Sequence, residues 1–125
     1  MKLMERAPAR VVATVLSQPV GHRPEQPDCM YNSGKGVWAK EFRDRRPDVS
    51  MATIEALSRD FAKSCQTPML VLPDDITAHP LQVSIDIASL APNAEITVFP
   101  WKEPAELKAR TINRARTFLK RHQTA

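Results

Sequence analysis

Residues 67–80 read TPMLVLPDDITAHP, and this stretch decides the fold class. A short apolar run from Met69 to Leu72 ends in two carboxylates, Asp74 and Asp75. Shortly after them come His79–Pro80, and proline is favoured in the first turn of a helix. Open parallel sheets bind their ligands at the carboxyl ends of their strands. The stretch therefore predicts a buried strand, an acidic candidate site at its end and a helix behind it.

The composition is that of an ordinary globular domain. The chain has 125 residues, of which 42% are hydrophobic and 26% are charged. A chain of this length can bury a core without a metal or a disulfide to hold it together. We predict a single domain over residues 1–125, divided into a first strand and loop (9–24), a helical insert (25–66) and a strand-helix-strand-helix unit (67–122).

The sequence argues against membranes and nucleic acids as partners. No apolar run approaches the roughly 20 residues that cross a bilayer, and the first residues lack the apolar stretch of a signal peptide. We therefore expect a cytoplasmic protein, with Cys29 and Cys65 as reduced thiols. The net charge is +4, but the basic residues near the carboxyl end suit the solvated face of a helix, and aromatic residues do not alternate with them.

The first half of the chain predicts one strand and one clear helix. Arg10 to Leu16 is rich in β-branched residues and apolar on both faces, which is typical of a buried parallel strand. Further along, Ile54, Leu57 and Phe61 fall on one helical face. That helix should end before Pro68, because the residue before a proline avoids the helical conformation.

The second half predicts two more strands, each followed by a helix. Met69 to Leu72 is the second strand, and the helix that opens at His79–Pro80 is apolar on two sides and should be well buried. Glu95 to Phe99 alternates and forms the third strand. This order implies an α/β fold with a small parallel three-stranded sheet and flanking helices. The residues expected to pack the last helix are Leu107, Ile112, Ala115, Phe118 and Leu119.

These elements resemble the carboxyl-terminal part of an α/β-hydrolase. The strand from Pro68 to Leu72, the segment LAPNAE at residues 90–95 and the final Phe118–Leu119 are the parts that carry the likeness. The resemblance covers most of residues 9–122. It implies a truncated hydrolase half in which Asp74 or Asp75 holds the position of the acid in the catalytic triad.

The chain departs from that family at the nucleophile and at the histidine. The family's nucleophile lies in G-x-S-x-G, but the three glycines here are Gly21, Gly34 and Gly36, and no two of them are four residues apart. The family's catalytic histidine follows the last strand, where this chain has Pro100 to Glu103 and no histidine. We therefore expect no serine-histidine-aspartate mechanism within this polypeptide.

Polar side chains follow each of the three predicted strands, so one edge of the sheet should collect them. Imidazole and carboxylate groups bind zinc or manganese, and such a metal makes a nucleophile from water at neutral pH. Without a metal, an aspartate-histidine pair can act as a general base. The candidate metal ligands are His22, Asp74, Asp75 and His79, and the candidate catalytic residues are Asp74, Asp75 and His79. The other side chains expected at this edge are Gln18, Asp28, Cys29, Trp101, Lys102 and Glu103.

Each of the main candidates also has a structural interpretation. Asp74 and Asp75 can cap the helix that follows them, because carboxylates favour helix amino ends. His79 can be a packing residue, and His22 can be a surface residue or a hydrogen-bond donor within its loop. Trp101 can be a lid over the core.

Three functions remain open from the sequence. The first is a small hydrolase of activated esters, phosphoesters included, that uses metal-activated or Asp/His-activated water. The second is a non-catalytic remnant that folds by dimerising, and the third is one half of a hydrolase completed by another chain. Because the strand at Arg10 to Leu16 would lack its neighbour in the parent fold, we predict a homodimer in which two copies of this strand pair and extend the sheet.

Overall fold

The computed structural model describes residues 2–19, 59–76 and 79–123. Within them lies a parallel sheet of three strands in the order β1 (Thr14–Ser17), β2 (Met69–Leu72) and β3 (Ala94–Ile96). Thr14 pairs with Met69, and Met69 pairs with Ala94, so all three strands end at the same edge. This sheet, with its helices, confirms the α/β class and the small parallel sheet expected from the sequence.

Helices surround the sheet in the described part of the chain. Residues 59–64 are helical (α2) and end before Pro68, as predicted. No helix among the described residues has the length and apolar character needed to cross a membrane. Ile54 and Leu57, which were expected on the helix with Phe61, lie outside the described residues, as does most of the predicted insert. The remaining helices are α1 (Lys2–Arg6), a 3-10 turn (Pro8–Arg10), α3 (Leu81–Leu90) and α4 (Ala105–Arg121).

The central strand β2 is fully buried because both of its faces are covered. Alternate residues of a strand point to opposite faces, which divides the core into two clusters. On one face Met69 and Val71 pack with Met4 of α1, Cys65 and Ile87 of α3. The second cluster contains Leu70, Leu72 and Phe118 of α4, with Val15 and Trp101 packed against it. Helices therefore cover both faces of the sheet.

The first strand is shorter and less buried than the sequence predicts. Arg10 to Leu16 was expected to form it, but β1 begins at Thr14, where the backbone N–H donates to the carbonyl of Pro68 at 3.0 Å. Thr14 pairs with Met69, the first residue of β2. The residues before Thr14 therefore have no residue of β2 to pair with. Val12 is accordingly 50% exposed, and β1 itself is only half-buried.

The third strand is also shorter than expected. Glu95 to Phe99 was predicted, whereas β3 ends at Ile96. The N–H of Thr97 still donates to the carbonyl of Val71 at 2.9 Å, and then the chain leaves the sheet. Val98 and Phe99 are therefore exposed rather than part of the strand.

Two helices bury fewer residues than their apolar patterns predict. In α3, Ser84 and Ile87 are buried, but Ile85 is exposed, so only one side of this helix meets the sheet. In α4, Thr111 and Phe118 are buried and half-buried Ala115 lies between them at helical spacing. The predicted contacts of Ile112 and Leu119 were wrong, because each is rotated about 100° from the buried face and points to solvent. Leu107 is half-buried.

Candidate functional site

The candidate site lies at the carboxyl edge of the sheet, where residues following all three strands meet. Gln18 directly follows β1, and Ser17 beside it pairs with Leu72 at the end of β2. Asp74 comes two residues after Leu72, and Lys102 follows β3. The parallel arrangement of the strands brings these three side chains into contact.

Asp74 is the centre of this group. Its Oδ2 atom accepts hydrogen bonds from Nζ of Lys102, at 2.8 Å, and from Nε2 of Gln18. Its Oδ1 atom accepts the backbone N–H of Asp75 at 3.0 Å. The Asp74 side chain is 14% exposed, whereas that of Lys102 is 45% exposed. The carboxylate is thus nearly enclosed by its own partners, while the lysine remains in contact with solvent.

These partners set the charge of Asp74. The hydrogen bond from Lys102 is the main cause that lowers the pKa of the Asp74 carboxyl, and the donors on Asp75 and Gln18 act in the same direction. Partial burial opposes them by raising this pKa, but the net shift is downward. Asp74 is therefore a carboxylate at neutral pH, which suits charge pairing or metal binding better than proton abstraction.

Gln18 reaches Asp74 from a backbone conformation that is rare outside glycine. Its φ angle is +52°, in the left-handed region, and its own N–H donates to the carbonyl of Leu72 at 2.8 Å. Left-handed residues other than glycine cost about 1 kcal/mol and persist where surrounding contacts hold them. The contacts of Gln18 with Leu72 and Asp74 provide that restraint.

Trp101 fixes the loop that carries Lys102. Its Nε1–H donates to the carbonyl of Pro73 at 2.7 Å, and its ring packs against the cluster of Leu70, Leu72 and Phe118. Nζ of Lys102 lies 5.8 Å from the centroid of that ring. The predicted interpretation of Trp101 as a lid over the core agrees with this packing, and the same packing places Lys102 beside Asp74.

Asp75 has the structural role that the sequence left open for it. Its Oδ1 atom accepts the backbone N–H of Leu81, the first residue of α3, at 3.3 Å. No other side chain of the described residues is seen to cap this helix, whose N-cap residue is Pro80. A carboxylate at the amino end of a helix also interacts favourably with the helix dipole. Asp75 is therefore a helix-capping residue, whatever further interactions it makes.

His79 is joined to the same loop through its backbone. Its N–H donates to the carbonyl of Ile76 at 2.9 Å, and the Ile76 N–H donates back at 3.3 Å. The Nδ1 atom of His79 is buried and has no hydrogen-bond partner among the described residues. His79 follows Asp74 and Asp75 closely in the sequence. Neither aspartate is seen to form a hydrogen bond with the Nδ1 atom of His79 among the described residues.

The predicted metal site is only partly covered by the described residues. His22, together with Asp28 and Cys29, lies outside them. Within the described residues, no three histidine, cysteine or acidic side chains are grouped as a metal would require. The described residues do not bring Asp74, Asp75 and His79 together as a metal site. The ligand set that includes His22 stays a prediction.

A cleft of about 750 Å³ opens at the opposite end of the sheet. It lies beside Pro68, just before β2 begins, and Met4, Val11 and Phe61 are among the residues that line it. None of the predicted catalytic or metal-binding residues in the described part of the chain borders this cleft. The cleft and the carboxyl-edge cluster are therefore separate features.

Comparisons of the chain with protein-family models, with curated proteins and with solved structures gave no match. The resemblance to α/β-hydrolases therefore depends on the residues quoted for it and on the order of the strands.

Two residues of the cluster were expected at this edge but not as partners of Asp74. Gln18 and Lys102 each follow the end of a strand, and that position is the signal by which the sequence places them here. Their contacts with Asp74 span 56 and 28 residues of the chain. Nothing in the sequence pattern says that a lysine rather than a histidine would meet the carboxylate.

Proposed function

We propose that this chain is a truncated relative of the α/β-hydrolases that hydrolyses small activated esters, phosphoesters included, at the carboxyl edge of its sheet. The observation that supports the proposal is the meeting of Gln18, Asp74 and Lys102 behind three neighbouring strands. Open α/β sheets bind their ligands at this edge. At that edge an ammonium group can stabilise the negative charge that develops on the ester oxygen. A carboxylate can orient the attacking water.

Activation of water is the step that the proposal must supply without a serine nucleophile. In the first route a divalent ion, zinc or manganese, is held by some of His22, Asp74, Asp75 and His79, and it lowers the pKa of a bound water. The lowered pKa of Asp74 favours this route because a metal ligand must be ionised. Lys102 opposes it, since its ammonium group occupies the same carboxylate and would have to move.

In the second route no metal is needed, and an aspartate and His79 act together as a general base. Histidine is the side chain that enzymes use most often as a general base, whereas the lowered pKa of Asp74 makes its carboxylate a weak base. The histidine would therefore take the proton, and a carboxylate would orient it. This route requires the His79 ring to form a hydrogen bond that its Nδ1 atom lacks among the described residues.

The test is a hydrolysis assay with defined metal content. The purified chain is treated with a chelator and assayed on a chromogenic carboxylate ester and a chromogenic phosphotriester, with and without added zinc or manganese. The proposal predicts turnover above the buffer blank that falls at least about tenfold in Asp74→Asn or His79→Gln. Asp60→Asn, which removes a carboxylate that is 90% exposed, is the matched control and should keep the full rate.

Rates equal to the blank in every condition would remove the hydrolase proposal. Turnover that appears only with added metal and is lost with chelator supports the first route. Turnover that survives chelation and depends on His79 supports the second.

A second candidate is that the chain completes its site, or only its fold, through another polypeptide. The sequence has no G-x-S-x-G motif, and β1 is an edge of the sheet within the described residues. As one half of a hydrolase, the chain would supply Asp74 to a nucleophile from a partner. As a non-catalytic remnant, it would use Asp74 and Lys102 only to hold the strand ends together, and would dimerise through β1.

A direct observation separates these alternatives from the first proposal. Activity that needs an added partner chain, and is then lost in Asp74→Asn, supports the half-hydrolase. A stable homodimer without activity on any ester, with or without metal, supports the remnant.

A further inference from the structure

We propose that Lys102 recognises the substrate of this site, and that the substrate is an ester carrying a negative charge, namely a phosphomonoester. This choice of substrate rests on the hydrolytic function proposed above. The binding step, however, can be measured without any turnover.

Most of the hydrogen-bonding capacity left among the described residues of the site belongs to the lysine. A carboxylate has about four positions for donors, and Asp74 already accepts from Lys102, Gln18 and the N–H of Asp75. An ammonium group has about three N–H donors, and Lys102 uses one of them on Asp74. Among the described residues about two donors of Lys102 remain against about one accepting position of Asp74, so most of the free capacity suits a ligand that accepts hydrogen bonds, such as the oxygens of a phosphoryl group.

Lys102 is also held in one place while remaining accessible. Its side chain is 45% exposed, its Nζ atom is 2.8 Å from Asp74, and the same atom lies over the ring of Trp101. Trp101 in turn is hydrogen-bonded to the Pro73 carbonyl. A lysine restrained in this way loses less freedom on binding an anion than a lysine free in solvent does. Asp74, Gln18 and Trp101 are then positioning residues for Lys102.

The location of this lysine distinguishes the site from that of the family it resembles. Lys102 follows β3, in the segment where the resemblance would place a catalytic histidine, and it contacts the residue at the position of the triad acid. An ammonium group is a positive point charge with N–H donors, which suits the binding of oxyanions. At this edge of the sheet Lys102 therefore suits anion recognition.

Binding of inorganic phosphate to the full chain tests the proposal. It can be followed by the NMR resonance of the Trp101 indole N–H, assigned with Trp101→Phe. We expect Lys102→Met to weaken phosphate binding at least about tenfold, and Lys102→Arg to stay within about threefold of the unchanged chain. Lys108→Met removes an exposed lysine on α4 and is the matched control, which should bind as the unchanged chain does.

The proposal is overturned if phosphate does not bind, or if Lys102→Met binds it as well as the unchanged chain. Should Lys102→Met fail to fold because Asp74 loses its partner, the double variant Asp74→Asn/Lys102→Met removes both charges and gives the same test. Its phosphate affinity must also fall about tenfold.

A second measurement separates this proposal from the hydrolase proposal. Phosphate binding that depends on Lys102, without turnover of p-nitrophenyl phosphate, of the carboxylate ester or of the phosphotriester under any metal condition, leaves the anion site standing and removes the hydrolase. Turnover of p-nitrophenyl phosphate with the same KM in the unchanged chain and in Lys102→Met keeps the hydrolase and removes the role of Lys102.

Discussion

Asp74 shows how a single side chain joins three parts of this fold. Its two oxygens accept from a residue after β1, from its own loop and from a residue after β3. Such a carboxylate stabilises the folded state through its partners, provided that it stays ionised. The residue-scale predictions concern the two members of the cluster that depend most on this arrangement.

Asp74→Asn should destabilise the fold in a pH-dependent way. The folded-state pKa of Asp74 is lowered, so its contribution is complete above its unfolded pKa of about 4 and is lost as the pH falls through the lower folded-state pKa. Urea unfolding near neutral pH should show a loss of about 1 kcal/mol, because the three hydrogen bonds to Asp74 lose the charge of their acceptor while an amide oxygen can still accept part of them.

As the pH falls through the lowered folded-state pKa of Asp74, the difference in stability between Asp74→Asn and the unchanged chain should shrink. Asp60→Asn is the control. The Asp60 carboxylate is 90% exposed, and its contact with Nζ of Lys63 is long, at 3.8 Å. A difference for Asp74→Asn that is constant across the acid range would contradict the charge argument.

Gln18 offers a test of backbone strain that is independent of its side chain. Gln18→Ala and Gln18→Gly both delete the hydrogen bond to Asp74, but only glycine accepts a φ of +52° without steric cost. Gln18→Gly should therefore be the more stable of the two by about 1 kcal/mol, as measured by urea unfolding. Equal stability, or a more stable Gln18→Ala, would mean that the left-handed conformation is not kept in solution.

At the scale of the elements, the sequence predicts the bounds of a strand best where that strand is buried on both faces. Met69 to Leu72 was predicted with its observed bounds, because a strand covered on both faces must be apolar throughout. β1 and β3 have a neighbouring strand on only one side within the described sheet, and their ends depend on where β2 begins and ends. The apolar pattern of β1 or of β3 carries no information about where β2 begins and ends.

The helices and the site show the same limit. The apolar residues of α4 cover more than one side of the helix, so their spacing alone does not say which side meets the sheet. The structure turns Phe118 inward and leaves Leu119 47% exposed. At the site, the sequence placed Asp74 and Lys102 at one edge, but their contact depends on side-chain direction, which Trp101 determines through its bond to Pro73.

Phe118→Ala and Leu119→Ala test the orientation of α4. Both remove a large apolar side chain from the same turn. Phe118→Ala opens a cavity beside Leu70 and should cost about 3–5 kcal/mol of unfolding free energy. Leu119→Ala should change stability by no more than about 0.5 kcal/mol, because its side chain is already in contact with water. Equal losses in urea or thermal unfolding would show that α4 packs with a different face.

At the scale of the whole molecule, the two ends of the described sheet carry different features. Asp74 and Lys102 lie at the carboxyl edge, and the cleft beside Pro68 lies at the other. Between these ends β1 forms one side of the described sheet. A proposed homodimer through β1 would lengthen the sheet while leaving the carboxyl-edge cluster of each copy on its own protomer.

The proposed dimer predicts a particular sensitivity to proline in β1. The N–H groups of Thr14 and Gln18 donate to the carbonyls of Pro68 and Leu72, on the side where β2 lies. The N–H of Ser17 alternates with them and therefore points away from β2. We expect the unchanged chain to be a dimer at micromolar concentration by size-exclusion chromatography with light scattering. Ser17→Pro should shift it to monomer, because proline removes the outward N–H, whereas Ser17→Ala should not.

A monomer for the unchanged chain at that concentration would rule out pairing through β1. Dimers in both variants would indicate an interface elsewhere on the chain.

The short helix α1 has a practical consequence for anyone who handles this protein. Met4 is only 4% exposed and packs with Met69 and Val71 beneath the sheet. Trimming the first six residues would therefore uncover the hydrophobic face of the central strand and promote aggregation. An affinity handle fused beyond Arg121, where α4 ends, should disturb purification and refolding yields less than one joined directly to the amino end.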